Sequence, residues 1–140
     1  MRKEEALAKD AESAEVRENS LSEKIIGAAL AVHKGLGPGL LESAYEKALA
    51  YQLVRDGLII ECQKIVPVTY DGVVIDDGFR ADIIVNDLVI LEIKSVKRIE
   101  DVHLKQLLTY LRLSGKKLGL LINFNETLLK QGIKRIANNL

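Results

Sequence analysis

Two neighbouring apolar segments that contain charged residues decide the fold: Phe79-Arg80-Ala81-Asp82-Ile83-Ile84-Val85 and Leu88-Val89-Ile90-Leu91-Glu92-Ile93-Lys94-Ser95. Both are dominated by Ile, Val and Leu, which predicts two β-strands. Asn86-Asp87 stands between them and breaks the pattern as a turn. The sequence therefore predicts a β-hairpin with carboxylates inside apolar strands.

The charged residues of the second strand should share one face. In a strand, residues two apart point to the same side, so Glu92 and Lys94 project together while Leu91 and Ile93 face the opposite layer. Burying an unpaired carboxylate there would cost several kcal/mol. Glu92 therefore needs a compensating partner.

The length of the turn determines whether Asp82 meets Glu92. With a two-residue turn at Asn86-Asp87, Asp82 would oppose Leu91 and lie on the other face from Glu92. A three-residue turn or one β-bulge places Asp82 opposite Glu92. We predict this irregularity, since bulges are common beside active sites.

Two such carboxylates require positive charge between them. At about 5 Å they repel by roughly 3 kcal/mol at an effective dielectric of 20. Lys94 alone could compensate them in a buried ion pair. A divalent cation held by both carboxylates and a nearby main-chain carbonyl would do so better. These residues leave both options open.

Helices are predicted before the hairpin. Residues 1–19 are rich in Ala, Glu and Lys and are expected to be an appendage to a domain spanning 20–140. Ser20 followed by Glu23 resembles a capping box, which predicts the start of the first helix. It should end at Gly35-Leu36-Gly37-Pro38-Gly39, because Pro and clustered Gly break helices.

The remaining periodicity predicts a mixed α/β fold with the order helix, helix, strand meander, helix, strand, helix. The second helix should run from about Leu40 to Asp56, with Gly39 as its N-cap. Three or four strands are expected over Leu58–Ser95, with breaks at Asp71-Gly72, Asp77-Gly78 and Asn86-Asp87. The later elements are a helix over Glu100–Leu113, a buried strand over Leu118–Phe124 and a last helix from Glu126 to about Ala137.

Composition limits the classes of function. The 140 residues carry 20 basic and 20 acidic side chains, so no global field attracts polyanions or membranes. One cysteine, Cys62, excludes an internal disulfide framework, and no apolar run reaches the roughly 20 residues of a membrane span. We expect a cytoplasmic protein that does not bind membranes. Nucleic-acid binding would need a local basic patch, for which the candidates are Lys97, Arg98, Lys116, Lys117, Lys130, Lys134 and Arg135.

Four helical side chains could join the carboxylates. Glu42 and Tyr45 are predicted on the face of the second helix that meets the sheet, although an acid at Glu42 also suits a helix N-terminus. Gln106 and Tyr110 are four residues apart on one helix face and could bind a phosphate or close polar gaps. His103 is expected to be a surface or hydrogen-bonded histidine.

The motifs together resemble the GxxExxY family, a branch of the PD-(D/E)xK nuclease superfamily. The resemblance covers nearly everything from Leu21 to Ala137, with Ala81 where the superfamily name has Pro. The matching stretches are Gly39-Leu40-Leu41-Glu42-Ser43-Ala44-Tyr45, Arg80-Ala81-Asp82, Glu92-Ile93-Lys94, Val102-His103, Gln106-Leu107-Leu108-Thr109-Tyr110-Leu111, Gly119-Leu120-Leu121-Ile122-Asn123-Phe124 and Gly132-Ile133-Lys134-Arg135.

The resemblance implies a restriction-endonuclease-like core: a helix, three antiparallel strands, a helix and a strand, in a mixed sheet flanked by helices. Asp82 and Glu92 resemble the metal carboxylates, and Lys94 the catalytic lysine. Glu42 resembles the acidic residue that the first core helix adds. Gln106 and Tyr110 resemble the QxxxY element of exonuclease-like branches.

The leading hypothesis is hydrolysis of phosphodiester bonds in DNA or RNA with Mg²⁺ or Mn²⁺. The predicted catalytic residues are Asp82, Glu92, Lys94 and Glu42; the metal would be held by Asp82, Glu92, Glu42 and the Ile93 carbonyl, and the substrate by Gln106, Tyr110 and Tyr45. One alternative is a non-catalytic module that binds nucleic acid or protein, which the zero net charge favours. Another is a structural ion-pair cluster. A homo-oligomer is left open.

Overall fold

One mixed sheet, three α-helices and a short 3₁₀ helix are the regular elements in the part of the chain that the structure describes. A computed structural model describes the backbone of residues 3–140 and the side chains of residues 15–140. The strands lie in the order β1-β2-β3-β4-β5; β3 and β4 are parallel and the other neighbours antiparallel. The elements are α1 (Lys3–Leu36), α2 (Glu42–Arg55), β1 (Ile60–Tyr70), β2 (Val73–Val85), β3 (Val89–Lys94), α3 (Asp101–Ser114), β4 (Leu118–Asn123), a 3₁₀ helix (Leu129–Gly132) and β5 (Ile133–Ala137).

The sheet has a core on each face, because its central strands are apolar on both sides. One core joins α1 and α2 to the sheet and includes Ile25, Tyr45, Leu49, Ile83, Leu91, Ile93 and Leu120. The other lies under α3 and includes Phe79, Ala81, Ile84, Ile90, Leu107, Leu111 and Leu121. This arrangement confirms the predicted α/β restriction-endonuclease-like fold. Among the described residues, no helix combines the length and apolarity needed to cross a bilayer.

The hairpin between β2 and β3 has the predicted extra residue. Val85 pairs with Val89, so three residues connect the strands. Asn86 and Asp87 both have positive φ, at 50° and 54°, and the Leu88 amide donates to the Val85 carbonyl at 2.9 Å. Asn and Asp tolerate this backbone conformation better than most residues.

The first helix begins earlier than predicted. α1 runs without a break from Lys3, so Ser20 lies inside the helix and does not cap it. The Ala, Glu and Lys residues before Ser20 favour helix, and no Gly or Pro interrupts them. Glu18 is 2% exposed, so this segment also buries a side chain. The division at residue 19 stays a prediction.

The N-cap of the second helix also differs from the prediction. Leu41 occupies this position, and Glu42 is the first residue of α2. Gly39 has a φ of 100°, which places it in the turn that precedes the helix. An acid at Glu42 still suits the helix dipole.

The break predicted at Asp77-Gly78 is a bulge inside β2. The pairing changes from Val68 with Ile75 to Val66 with Phe79, so the longer side of the bulge lies in β2. A side chain at Gly78 would approach Val68 to 2.5 Å, which explains why glycine occupies this position. Three strands therefore form before α3.

The last predicted helix is wrong, because residues 133–137 form β5. All six residues of β4 are buried, and β5 supplies hydrogen-bond partners to its outer edge. Ile133 packs in the core under α1 and α2, whereas Ile136 packs in the core under α3. Pairing with β4 overrides the helical spacing.

The turn before β5 yields a stability prediction. A Cβ at Gly132 would lie 2.5 Å from the Asn123 carbonyl oxygen, whereas one at Gly27, in α1, meets nothing within 4 Å. We expect Gly132→Ala to lower the free energy of unfolding by about 1–3 kcal/mol. Gly27→Ala should raise it by about 0.5–1 kcal/mol. Urea unfolding measures both; stabilisation by Gly132→Ala would favour a helix there instead.

Candidate functional site

The candidate site lies where β2 and β3 separate. Their pairing ends at Ile83 with Leu91, and the next pair in the same register is Asp82 with Glu92. The Ile93 amide donates to Asp82 Oδ2 at 2.8 Å, and the Asp82 amide lies 3.5 Å from Glu92 Oε1. Each carboxylate therefore accepts a hydrogen bond from the opposite strand.

Asp82 also interrupts the alternation of β2. Ala81 and Ile84 both pack in the core under α3 although they are three residues apart, so the alternation slips by one residue between them. Asp82 and Ile93 line a cavity that opens toward α2. The residues on either side of Glu92, Leu91 and Ile93, both pack in the core under α1 and α2. The Glu92 side chain therefore projects to the opposite face, toward α3. The carboxylates thus meet across the gap between the separating strands rather than side by side on one face.

Burial and charge strongly perturb Glu92. It is 7% exposed, and burial raises its pKa from 4.5 to about 8. The negative charge of Asp82 acts in the same direction, whereas the positive charge of Lys94 opposes it. Without a cation, Glu92 therefore retains its proton through neutral pH.

Lys94 lies beside the carboxylates without pairing with them. It is half-buried, and its main-chain carbonyl accepts a hydrogen bond from the Phe124 amide at 2.9 Å. The ion pairs within the described part of the chain join Arg17 to Glu18, Lys64 to Glu61 and Lys116 to Asp87. The Lys94 ammonium is consequently free to contact a ligand.

An open cavity of about 230 Å³ adjoins Asp82 on the α2 side. Glu42 is exposed and lines this cavity together with Glu46, one helical turn further along α2. The complete lining is Glu42, Ser43, Glu46, Gln63, Asp82 and Ile93. The predicted acid from the second helix thus lines the same cavity as Asp82, whereas Glu92 does not line it.

Glu46 and Gln63 belong to this cavity and were not predicted. The Gln63 side-chain amide donates to Glu46 Oε1 at 2.6 Å and lies 3.5 Å from Asp82 Oδ1. Burial raises the pKa of Glu46; the Gln63 hydrogen bond lowers it, and the charge of Asp82 raises it further. One signal was available: like charges four residues apart, as in Glu42 and Glu46, are unfavourable on a helix and call for a reason.

Tyr45 lies in the core and does not reach the cavity. It is completely buried and stacks on Phe124 with ring centroids 4.7 Å apart. Its hydroxyl donates to the Gly37 carbonyl at 2.6 Å and accepts from the Leu40 amide at 3.0 Å. Tyr45 therefore holds the turn before α2, and its position does not suit the predicted contact with substrate.

Tyr110 approaches the carboxylates from the α3 side. It stacks on Phe79 at 4.1 Å, and its pKa is raised by burial, then by the charges of Glu92 and Asp82. Gln106 is exposed one turn earlier on α3. His103 is satisfied locally, since its Nδ1 accepts from the Glu100 amide at 3.0 Å.

The oxygen donors fit a small divalent cation. Among the residues that the structure describes, no three Asp, Glu, His or Cys side chains converge closely enough to hold a metal by themselves. Mg²⁺ is commonly bound by one or two carboxylates and keeps several waters, so a complete protein cage is not required. Asp82 and Glu92, with the Ile93 carbonyl, meet this requirement, and a cation would offset their mutual repulsion.

The raised pKa of Glu92 predicts a pH-dependent stability. In metal-free protein, the folded state keeps this proton up to about pH 8, whereas the unfolded state loses it near 4.5. Stability should therefore fall as the pH rises between these values, by up to about 1.4 kcal/mol per pH unit. Glu92→Gln should remove this slope in urea unfolding, and the exposed control Glu23→Gln should keep it. Equal slopes would contradict the assignment.

Comparison with known proteins identifies the family. No match was found among the curated proteins, and none among the solved structures. A family model described as the PD-(D/E)XK nuclease superfamily matches residues 19–136, which is most of the chain. The match includes both carboxylates, the lysine, β1 to β4 and all but the last residue of β5. The chain belongs to the PD-(D/E)XK nuclease superfamily.

Proposed function

We propose that this protein is a metal-dependent nuclease of the GxxExxY branch that hydrolyses phosphodiester bonds in DNA or RNA. One observation carries the proposal. Asp82 and Glu92 meet where two strands separate, and Lys94 lies next to them without an ion pair among the described residues. A purely structural cluster would pair this lysine with a carboxylate.

Asp82, Glu92 and the Ile93 carbonyl would hold Mg²⁺ or Mn²⁺. Glu42 would contribute directly or through water from the α2 side of the cavity. A bound divalent cation lowers the pKa of water and stabilises negative charge on a phosphate. Because burial keeps Glu92 protonated without a cation, metal binding should release a proton at neutral pH.

Lys94 would act on the attacking water. Its ammonium can donate a hydrogen bond that orients this water and favours the hydroxide form, and it can also contact a phosphate oxygen. Tyr110 and Gln106 would position the substrate from the α3 side. Tyr45 has no place in this assignment, because its hydroxyl is already used in the turn before α2.

Gln63 and Glu46 would prepare the cavity for the cation. The Gln63 amide lies between the Glu46 and Asp82 carboxylates and offsets their repulsion when no cation is bound. Gln63 has a φ of 51°, and non-glycine residues adopt this conformation at a cost. The structure around Gln63 therefore holds its backbone in this costly conformation, which keeps the side-chain amide between the two carboxylates.

Loss of Lys94 should abolish most of the activity. We expect purified protein to cleave single-stranded, duplex or structured DNA or RNA with Mg²⁺ or Mn²⁺, and a chelator to stop it. Lys94→Ala should reduce the rate by at least about 100-fold, the lower end of what one proton-transfer group contributes. Lys24→Ala, an exposed control on α1, should keep full activity.

A non-catalytic binding module is the alternative, and the balanced charge of the chain favours it modestly. The same variants separate the two functions. If no substrate is cleaved under any of these conditions while wild type and Lys94→Ala bind nucleic acid equally, the module replaces the nuclease.

Cation binding can be measured independently of activity. Calorimetry should detect saturable Mn²⁺ binding that Asp82→Asn removes. Asparagine can still accept the hydrogen bond from the Ile93 amide, so the fold should remain intact. The control is Asp71→Asn in the β1–β2 turn, where φ is 50° and asparagine is tolerated. Equal Mn²⁺ affinity in both variants would exclude Asp82 as a ligand.

A further inference from the structure

The β1–β2 hairpin extends beyond the rest of the sheet. β2 pairs with β3 only over residues 83–85, so residues 65–79, here called the hairpin arm, pair only within the hairpin. Two-stranded hairpins are marginally stable in water unless something packs on them. The base of the arm is covered, because Val66 and Phe79 pack in the core under α3. The tip has no such cover among the described residues.

One face of the arm is apolar from base to tip. Val68 pairs with Ile75 and Tyr70 with Val73, which puts these four side chains on one face. Tyr70 is 74% exposed, Val73 62% and Ile75 40%. This face continues the core under α3 into solvent. Contiguous exposed apolar surface bordered by polar residues is characteristic of interaction sites.

The charges on the arm are all negative. Residues 65–79 contain Asp71, Asp76 and Asp77, all exposed, and no Lys, Arg or His. The chain as a whole is neutral, so the arm is an acidic region on a balanced protein. Its carboxylates repel nucleic-acid phosphates. They also oppose contact between two copies of the arm. Such a contact would bring together three aspartates from each copy, with no basic residue of the arm to compensate their charge.

We propose that the hairpin arm is a docking surface for a protein partner whose apolar contact residues are flanked by Lys or Arg. Tyr70, Val73 and Ile75 supply the apolar contact, and tyrosine is a residue type that often dominates binding energy. The aspartates provide complementary charge, which selects the partner and accelerates association. This inference goes beyond the proposed function and does not depend on it, because no catalytic residue lies on the arm.

A random peptide library displayed on phage can test the docking surface. The library is selected on wild-type protein and counter-selected on a Val73→Ser/Ile75→Ser variant, whose changes lie on exposed residues. We expect the enriched peptides to combine aromatic or aliphatic residues with Lys or Arg. Fluorescence anisotropy of one enriched peptide should show at least tenfold weaker binding to the double variant. Circular dichroism confirms that this variant is folded.

Matched variants and competitors decide the outcome. Asp76→Asn/Asp77→Asn should weaken binding of the peptide and reduce the salt dependence of that binding. Val54→Ser, a change at an exposed apolar position on α2, should leave peptide binding unchanged. Enrichment of acidic peptides, or of none that depend on the arm, would overturn the proposal. So would a dimer in sedimentation that Val73→Ser/Ile75→Ser dissociates, or an oligonucleotide that displaces the peptide. Nuclease activity and Mn²⁺ binding should be unchanged in every arm variant.

Discussion

The site depends on a gap in the ladder between β2 and β3. Past Ile83, the Ile93 amide has no carbonyl partner on β2, and the Asp82 carboxylate accepts its hydrogen bond instead. Glu92 receives a longer bond from the Asp82 amide in return. A buried amide must find an acceptor, so the separating strands hold the two carboxylates together even though they repel. Burial, together with that repulsion, raises the pKa of Glu92.

Local patterns predicted the centre of the fold well. The apolar strands and the turn residues Asn86-Asp87 predicted the hairpin, and the need for Asp82 to meet Glu92 predicted its extra residue. Elements whose structure depends on distant contacts were less predictable. Residues 133–137 have spacing that fits a helix, yet they complete the edge of β4. The predicted start of α1 was also wrong. A capping-box pattern at Ser20 does not begin a new helix when the residues before it already favour helix.

The candidate site was predicted in part for the same reason. The carboxylates and Lys94 lie close in sequence, so the three-residue connection of the hairpin was enough to bring Asp82 opposite Glu92. The slip in alternation at Asp82 was not predicted. Glu46 and Gln63 join through the packing of α2 against β1, and nothing local to Gln63 indicates its contact with Asp82. Tyr45 was correctly expected on the buried face of α2, but the sequence could not reveal that its hydroxyl binds the turn at Gly37.

The three-residue connection between β2 and β3 makes the chain length at this position critical. Most surface turns accept a one-residue insertion or deletion with little effect. Here, removal of Leu88 would shift β3 by one position relative to β2. Side chains now packed beneath α1 and α2 would face α3, and those facing α3 would enter the opposite core. Substitutions at Asn86 or Asp87 are a milder change. They alter how readily the backbone adopts the turn, but they do not change which face of the sheet each residue of β3 occupies. Related chains should therefore vary in composition at this turn far more freely than in length.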